Sequence, residues 1–199
     1  MLKKILLALL VVVAGFVLFV MSRPDTFHIE RSASMSAPPA VVFARINDFH
    51  AWPDWSPWEK LDPAMKRTFG GPESGPGASY AWVGNDKVGE GSMLIQTTTI
   101  PSHIGIELKF IKPFAATSQA AFALAPEGTG TKVTWSMDGK NNFLGKMMCL
   151  FMDMDKEVGG QFESGLATLN TVSAKVAVIV AARDAREAAA AAADSAAMK

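Results

Sequence analysis

With one cysteine in 199 residues, Cys149, the chain can form neither an internal disulfide nor a thiolate metal cluster. Its histidines, His28, His50 and His103, are far apart and show no H-x-H or H-E-x-x-H spacing, so no metal is expected. Basic and acidic residues balance, 19 against 19, leaving no positive excess to attract nucleic acid. No G-x-S-x-G, phosphate loop or dinucleotide fingerprint occurs, so no cofactor is expected. Serine-nucleophile, nucleotide-dependent and zinc chemistry all lose their usual sequence support.

What the chain does have is apolar residues, 49% of the total, enough for one domain with a real core. One apolar block stands apart. After Lys3 and Lys4, Ile5 to Met21 contains no charged residue. As a helix it would be roughly 25 Å long, near the short end of what spans a bilayer. A cleavable signal peptide is the rival reading, but the exit FVMSRPD is a poor cleavage site. We therefore expect an uncleaved anchor in residues 1–22. The lysines would keep the N-terminus cytoplasmic and place the rest in the periplasm or outside the cell, with Arg23 weakening the bias. At the other end, residues 177–199 are an alanine-rich tail, expected to extend the last helix and to carry no site.

Between these ends lies residues 23–176. Thr26 to Ser36 reads as a strand, and Ala37-Pro38-Pro39 opens a helix that ends near Asn47-Asp48. A short strand at Lys66 to Phe69 precedes the loop GGPESGPG. Strict alternation then sets Tyr80 and Trp82 on one face, followed by Met93, Ile95 and Thr97. The same face collects Ile104, Ile106, Leu108 and Phe110, with Glu107 and Lys109 opposite. Ala120, Phe122 and Leu124 follow, then Val133, Trp135 and Met137. Short turns such as GNDK and GTGT join these runs into an antiparallel meander with one apolar face. Past Asn141-Asn142 the period changes. Val158, Phe162, Leu166, Leu169, Val172 and Val176 step by threes and fours, the pattern of a long amphipathic helix. Gly159-Gly160 should bend that helix or let it approach a neighbour closely. The order predicts an α+β fold: a curved antiparallel sheet wrapped around a long C-terminal helix, with an N-terminal transmembrane helix added.

Several stretches carry a resemblance: SAPPAVVFARINDFHAWPDWSPW, GPGASYAWVG, KVGEGSM, GTKVTWSMDG and the late FESGLATL. Over roughly Phe27 to Val176 the chain resembles the polyketide cyclase/dehydrase-like branch of the START/Bet v 1 (SRPBCC) superfamily. The resemblance implies a helix-grip fold whose sheet and long helix enclose an apolar cavity. Members bind lipids, sterols or polyketides; some are enzymes, and no invariant catalytic set carries over.

On that footing the irregular DFHAWPDWSPW is expected to cap one mouth of the space between sheet and helix. Trp52, Trp55 and Trp58 either seal the sheet end or also touch a ligand. Met147, Met148, Met152 and Met154, beside Phe143 and Phe151, are ordinary core, an adaptable apolar site, or an exposed helix at the cavity mouth near the anchor. Gly91, Ala120 and Gly139 are small enough to leave volume unfilled. The expected ligand wall is Tyr80, Trp82, Met93, Ile95, Ile106, Leu108, Phe110, Phe122, Trp135, Met137, Met148 and Phe162. Tyr80, Glu90 and Glu107 act as acid or base only if they point inward, and alternation sets Glu107 on the polar face and Tyr80 on the apolar one; Asp153, Asp155 and Glu157 look like a helix start. The leading expectation is a membrane-anchored binder of a small hydrophobic or amphipathic molecule such as a lipid. A cyclase/dehydrase-type enzyme and an envelope module with a filled core are the alternatives.

Overall fold

The computed structural model describes residues 2–198. Helix α1 spans Leu2–Met21, and its side chains are exposed except for Val17, which is half-buried, and Val20, which is buried. Strand β1 is Thr26–Met35 and helix α2 is Pro39–Asn47, with proline at its first position, where no backbone donor is missed. The tryptophan segment follows as two short 3-10 turns, Phe49–Asp54 and Pro57–Lys60. The Asp48 carboxylate opens the first of them by accepting from the His50 N–H at 2.8 Å.

Six strands then run consecutively: β2 Lys66–Gly70, β3 Ser79–Val83, β4 Glu90–Thr99, β5 His103–Lys112, β6 Ala116–Glu127 and β7 Gly130–Lys140. All pairings are antiparallel, and β1 joins the far edge, giving one seven-stranded sheet in the order β1-β7-β6-β5-β4-β3-β2. The tightest hairpin pairs Glu127 with Gly130, and Gly128 takes φ +58°, a conformation that favours glycine.

The expected strand phase holds in β3, β5, β6 and β7, where Tyr80, Trp82, Ile104, Ile106, Phe122, Leu124, Val133, Trp135 and Met137 are all buried. Glu107 and Lys109 pair with each other on the opposite face. In β4 the phase breaks at one point. The register shifts between Ile95 and Thr97, so Thr98 rather than Thr97 lies opposite Ile104, and Thr97 is exposed. A bulge at Gln96 adds one residue, and one residue is enough to turn the following side chain outward.

Helix α3, Phe143–Met148, and helix α4, Met154–Ala197, complete the chain. The Asp153 carboxylate caps α4 by accepting from Lys156 N–H at 3.1 Å, in keeping with the acidic helix start. Phe162, Leu166 and Leu169 face the sheet and are buried, and from Val178 onward the side chains are largely exposed. Gly159 is the point of close approach. Arg31 reaches up from β1 and lies where a Cβ on Gly159 would be. Its guanidinium grips Asp155 through two bonds of 3.0 and 2.8 Å and Glu163 through a third of 2.8 Å. The Arg31 hydrogen bonds hold the Asp155 carboxyl below the usual carboxylate range. Among the described residues two helices, α1 and α4, are long and apolar enough to cross a membrane; α4 buries part of its apolar surface in the core.

Candidate functional site: an apolar cavity under the long helix

Between the concave sheet face and α4 lies a partly open cavity of about 400 Å³. That is within the range of pockets that hold small organic ligands, roughly 300–1,000 Å³. Its deep end is aromatic. Trp135 stacks on Phe162 with ring centroids 4.1 Å apart and planes 7° apart, and on Phe122 at 4.7 Å. Gly165 of α4 sits directly against the Trp135 ring, where a larger residue would push the helix away.

The tryptophan segment closes this end. Trp55 is wholly buried and is not part of the cavity wall, whereas Trp52 and Trp58 are. Trp52 packs on Trp55 at 4.7 Å, and Trp58 meets Trp135 edge-on at 5.7 Å. The two buried indoles of the segment keep their donors satisfied: Trp52 Nε1–H donates to the Ile46 carbonyl at 2.9 Å and Trp55 Nε1–H to that of Arg45 at 3.2 Å. An irregular backbone thus suits the task. Short 3-10 turns aim indoles in different directions, and the end of α2 supplies the acceptors.

Of the residues expected in the wall, Tyr80, Trp82, Met93, Leu108, Phe110, Trp135, Met137, Met148 and Phe162 border the cavity. Ile95, Ile106 and Phe122 do not. They are completely buried on the same sheet face, and Phe122 lies under Trp52 and Trp55 at 6.1 Å from each. Sharing a face put them in the core; the tryptophan cap decided which part of the face stays open. Two of the small residues also differ from expectation. A Cβ on Gly91 would collide with the Trp82 ring and one on Gly139 with Phe27, so both glycines make room for aromatics rather than for a ligand. Ala120 does border the cavity. Phe27 and Val158 join the wall beyond the expected set, though alternation along β1 signals the first and the helical stripe the second; Met65 and Val88 sit in loops with no periodicity to expose them.

One polar network lies beside the wall. The Tyr80 hydroxyl donates to Glu59 at 2.7 Å, and Arg67 Nε donates to the other Glu59 oxygen at 2.7 Å. Burial, reinforced by the bond to Glu59, pushes the Tyr80 pKa well above its ordinary value. Tyr80 therefore stays protonated with its hydrogen committed to Glu59, a poor arrangement for a general base. Glu90 pairs with Lys112 at 2.8 Å at the strand ends. Among the described residues no group of three His, Cys, Asp or Glu side chains converges as a metal site.

The mouth is built from the loop between β3 and β4 (Asp86 to Gly89), the turn between β5 and β6 (Pro113 to Ala115), Lys140 to Asn142, and α3 through Leu144, Gly145 and Met148. Met154 at the start of α4 completes it, while Phe143, Phe151 and Met152 remain exposed nearby. The methionine cluster is thus divided between cavity wall and surface.

The family model described as polyketide cyclase / dehydrase and lipid transport matches residues 26–174. The chain belongs to that family. No curated protein matches the sequence. Solved structures share the fold at low identity. A protein from Rhizobium leguminosarum superposes with a TM-score of 0.56 at 16% identity, covering 76% of this chain and 96% of its own. Protein CV1439 from Chromobacterium violaceum gives 0.54 at 14%, with 76% and 98% covered. Ara h 8.0201 gives 0.50 at 13%, with 75% and 99% covered. The helix-grip architecture expected from the sequence is the fold that these structures share. The segment before residue 26 and the tail after 174 lie outside the family match.

Proposed function

We propose that this family member binds a small hydrophobic or amphipathic molecule, lipid- or polyketide-like, in the cavity between sheet and α4. The observation that carries the reading is the cavity itself: about 400 Å³ walled chiefly by aromatic, methionine and aliphatic side chains. A filled-core module would leave no such space, and burying an apolar ligand there removes it from water at little cost to the wall. Tyr80, Trp82, Met93, Leu108, Phe110, Trp135, Met137, Met148 and Phe162 are the contact residues in this reading, with Ile95, Ile106 and Phe122 supporting them from behind. The wall favours binding over cyclase or dehydrase chemistry, because its buried ionisable group, Tyr80, is already engaged by Glu59.

In the finer form of the proposal, α1 belongs to an uncleaved single-pass anchor in residues 1–22, residues 23–176 are the binding domain and 177–199 an alanine-rich helical tail, of which residue 199 lies outside the described residues. Lys3 and Lys4 keep the N-terminus cytoplasmic and the domain on the other side of the membrane. The test is mass spectrometry of small molecules that co-purify with the full chain extracted from its own membrane, compared with an Ala120→Leu, Ser118→Leu chain whose cavity is narrowed. Enrichment of an apolar compound in the unaltered chain is expected. Equal recovery from both chains would sink the binding reading.

A further inference from the structure

The last turn of α1 is fastened to the rim of the cavity. Lys146 of α3, only 8% exposed, donates to the Met21 carbonyl at 3.0 Å and pairs with Asp25. Asn141 N–H donates to the Asp25 carbonyl at 2.8 Å, and the Asn141 amide to that of Pro24 at 3.3 Å. Val20 is buried where α1 meets the domain. The residues that receive α1 are therefore the mouth residues themselves or their neighbours: Asn141, Asn142, Leu144, Gly145 and Met148 all border the opening. A helix with its side chains is about 10–12 Å across. The opening thus lies within roughly one helix width of the point where α1 leaves its apolar segment.

The same rim carries apolar side chains that the fold leaves about half or more exposed. Phe114 is 46% exposed in the β5–β6 turn, Phe143 is 46% exposed at the start of α3, and Phe151 and Met152 are 79% and 46% exposed between α3 and α4. In the last turn of α1, which the rim holds, Leu18 and Met21 are likewise 68% and 60% exposed. Lys87 and Lys140 also border the opening and form no ion pair among the described residues, which suits phosphate headgroups at a membrane surface.

We propose that this rim docks on the bilayer that α1 crosses, with Phe114, Phe143, Phe151 and Met152 set into the interface, so that the ligand passes between membrane and cavity without entering water. The proposal rests on α1 being an anchor. The bilayer is the fitting occupant because the tether holds the rim beside it, at an effective concentration no diffusing partner matches.

Cys149, the sole thiol and an exposed one, lies in this rim and serves as the reporter. The full chain, labelled there with an environment-sensitive fluorophore, is reconstituted into phosphatidylcholine–phosphatidylglycerol vesicles containing lipids that carry a nitroxide just below the headgroup. The control is a Cys149→Ser, Glu127→Cys chain labelled at the β6–β7 turn. That turn is at the other end of β6, about 35 Å away at strand rise. Strong quenching at 149 with little at 127 is expected. A Phe151→Asp, Met152→Asp chain should lose several-fold of that quenching, with its melting temperature unchanged because both residues are exposed. Equal quenching at both positions, or none at 149 while the chain resists alkaline extraction, overturns docking but leaves the anchor standing. Efficient Cys149–Cys149 cross-linking in the vesicles overturns it in favour of a second copy of the chain. A chain that washes off the vesicles removes the anchor and the docking proposal together, while co-purification of a cavity ligand stays an independent question.

Discussion

Replacing Ala120 by leucine separates an open cavity from a filled core by the sign of a single stability change. Ala120 lies on β6 between Ile106 of β5 and Met137 of β7, and its side chain borders the cavity. Leucine adds three carbons. At about 0.8 kcal/mol per buried methylene they contribute roughly 2.4 kcal/mol if the space is there. Fixing the leucine rotamer costs about 0.5–1 kcal/mol, leaving a gain of about 1.5 kcal/mol. If the space is already filled, the same carbons overpack the core and cost about 1–3 kcal/mol. For a domain of this size 1 kcal/mol moves the melting temperature by about 2–4 °C, so the two cases differ in direction and by several degrees. The assay is thermal melting of residues 23–199 with and without an apolar fluorescent probe. Unaltered protein should gain about 2.7 kcal/mol at a hundredfold excess of probe over its dissociation constant. The Ala120→Leu domain should melt higher without probe and respond to it less. A lower melting temperature with an undiminished probe response would show that Ala120 does not border the binding space, and the reasoning would fail.

Trp55→Ala should cost about 3–5 kcal/mol in urea unfolding, because the ring is wholly buried in the cap; its effect on probe affinity should be no larger than unfolding explains. Trp82→Phe, by contrast, removes a wall contact and a 3.0 Å bond to the Val88 carbonyl, so probe affinity should fall along with stability. Glu59→Ala leaves Arg67 and Tyr80 without their shared acceptor and should cost about 3 kcal/mol; a loss below 1 kcal/mol would mean that water already serves both groups. Asp155 has a lowered pKa in the folded state, so its contribution is present above the unfolded value, about pH 4, and disappears as pH falls through the lowered one. Urea midpoints of Asp155→Asn and the unaltered protein should therefore differ at pH 6 and converge toward pH 2; a constant gap would refute the Arg31 clamp.

The sheet was legible because alternation is a local signal. Tyr80, Trp82, Ile106, Phe122, Trp135 and Met137 could be assigned to one face from spacing alone, since the side-chain period of a strand is two. Thr97 escaped the same logic because a bulge leaves no trace in an apolar–polar pattern when the residues around it are Gln96, Thr97 and Thr98. The cavity was harder to read. Whether a face residue borders empty space depends on what covers it, and the cover here is a non-periodic segment. Ile95 and Trp82 look equivalent in sequence, yet one is sealed in the core and the other lines the opening. Gly91 and Gly139 show the same limit, since a small residue marks a close approach without saying whether a ligand or an aromatic ring comes close. Glu59 and Arg67 had no motif at all. Their pairing with Tyr80 is a contact between a 3-10 turn and two strands, which no local pattern reports.

The distribution of aromatic side chains explains how one small domain can keep a void and still fold. A cavity forfeits the packing that its lining residues would otherwise make, at about 24 cal/mol per Å³ in well-studied cores. That cost has to be offset elsewhere, and here it is offset next door. Trp55, Phe49 and Phe122 are fully buried at the capped end, and the stacked Trp135–Phe162 pair marks the boundary between packed and open halves. The halves also differ in how they are held. The packed half is pinned by indole hydrogen bonds to backbone carbonyls. The open half is bounded by a short helix, turns and methionines, whose side chains adjust to different shapes. Substitutions in the first half should therefore be read out as unfolding and those in the second as altered binding. The Arg31 clamp allows that separation, because it ties the first turns of α4 to β1 without filling the space beneath the helix.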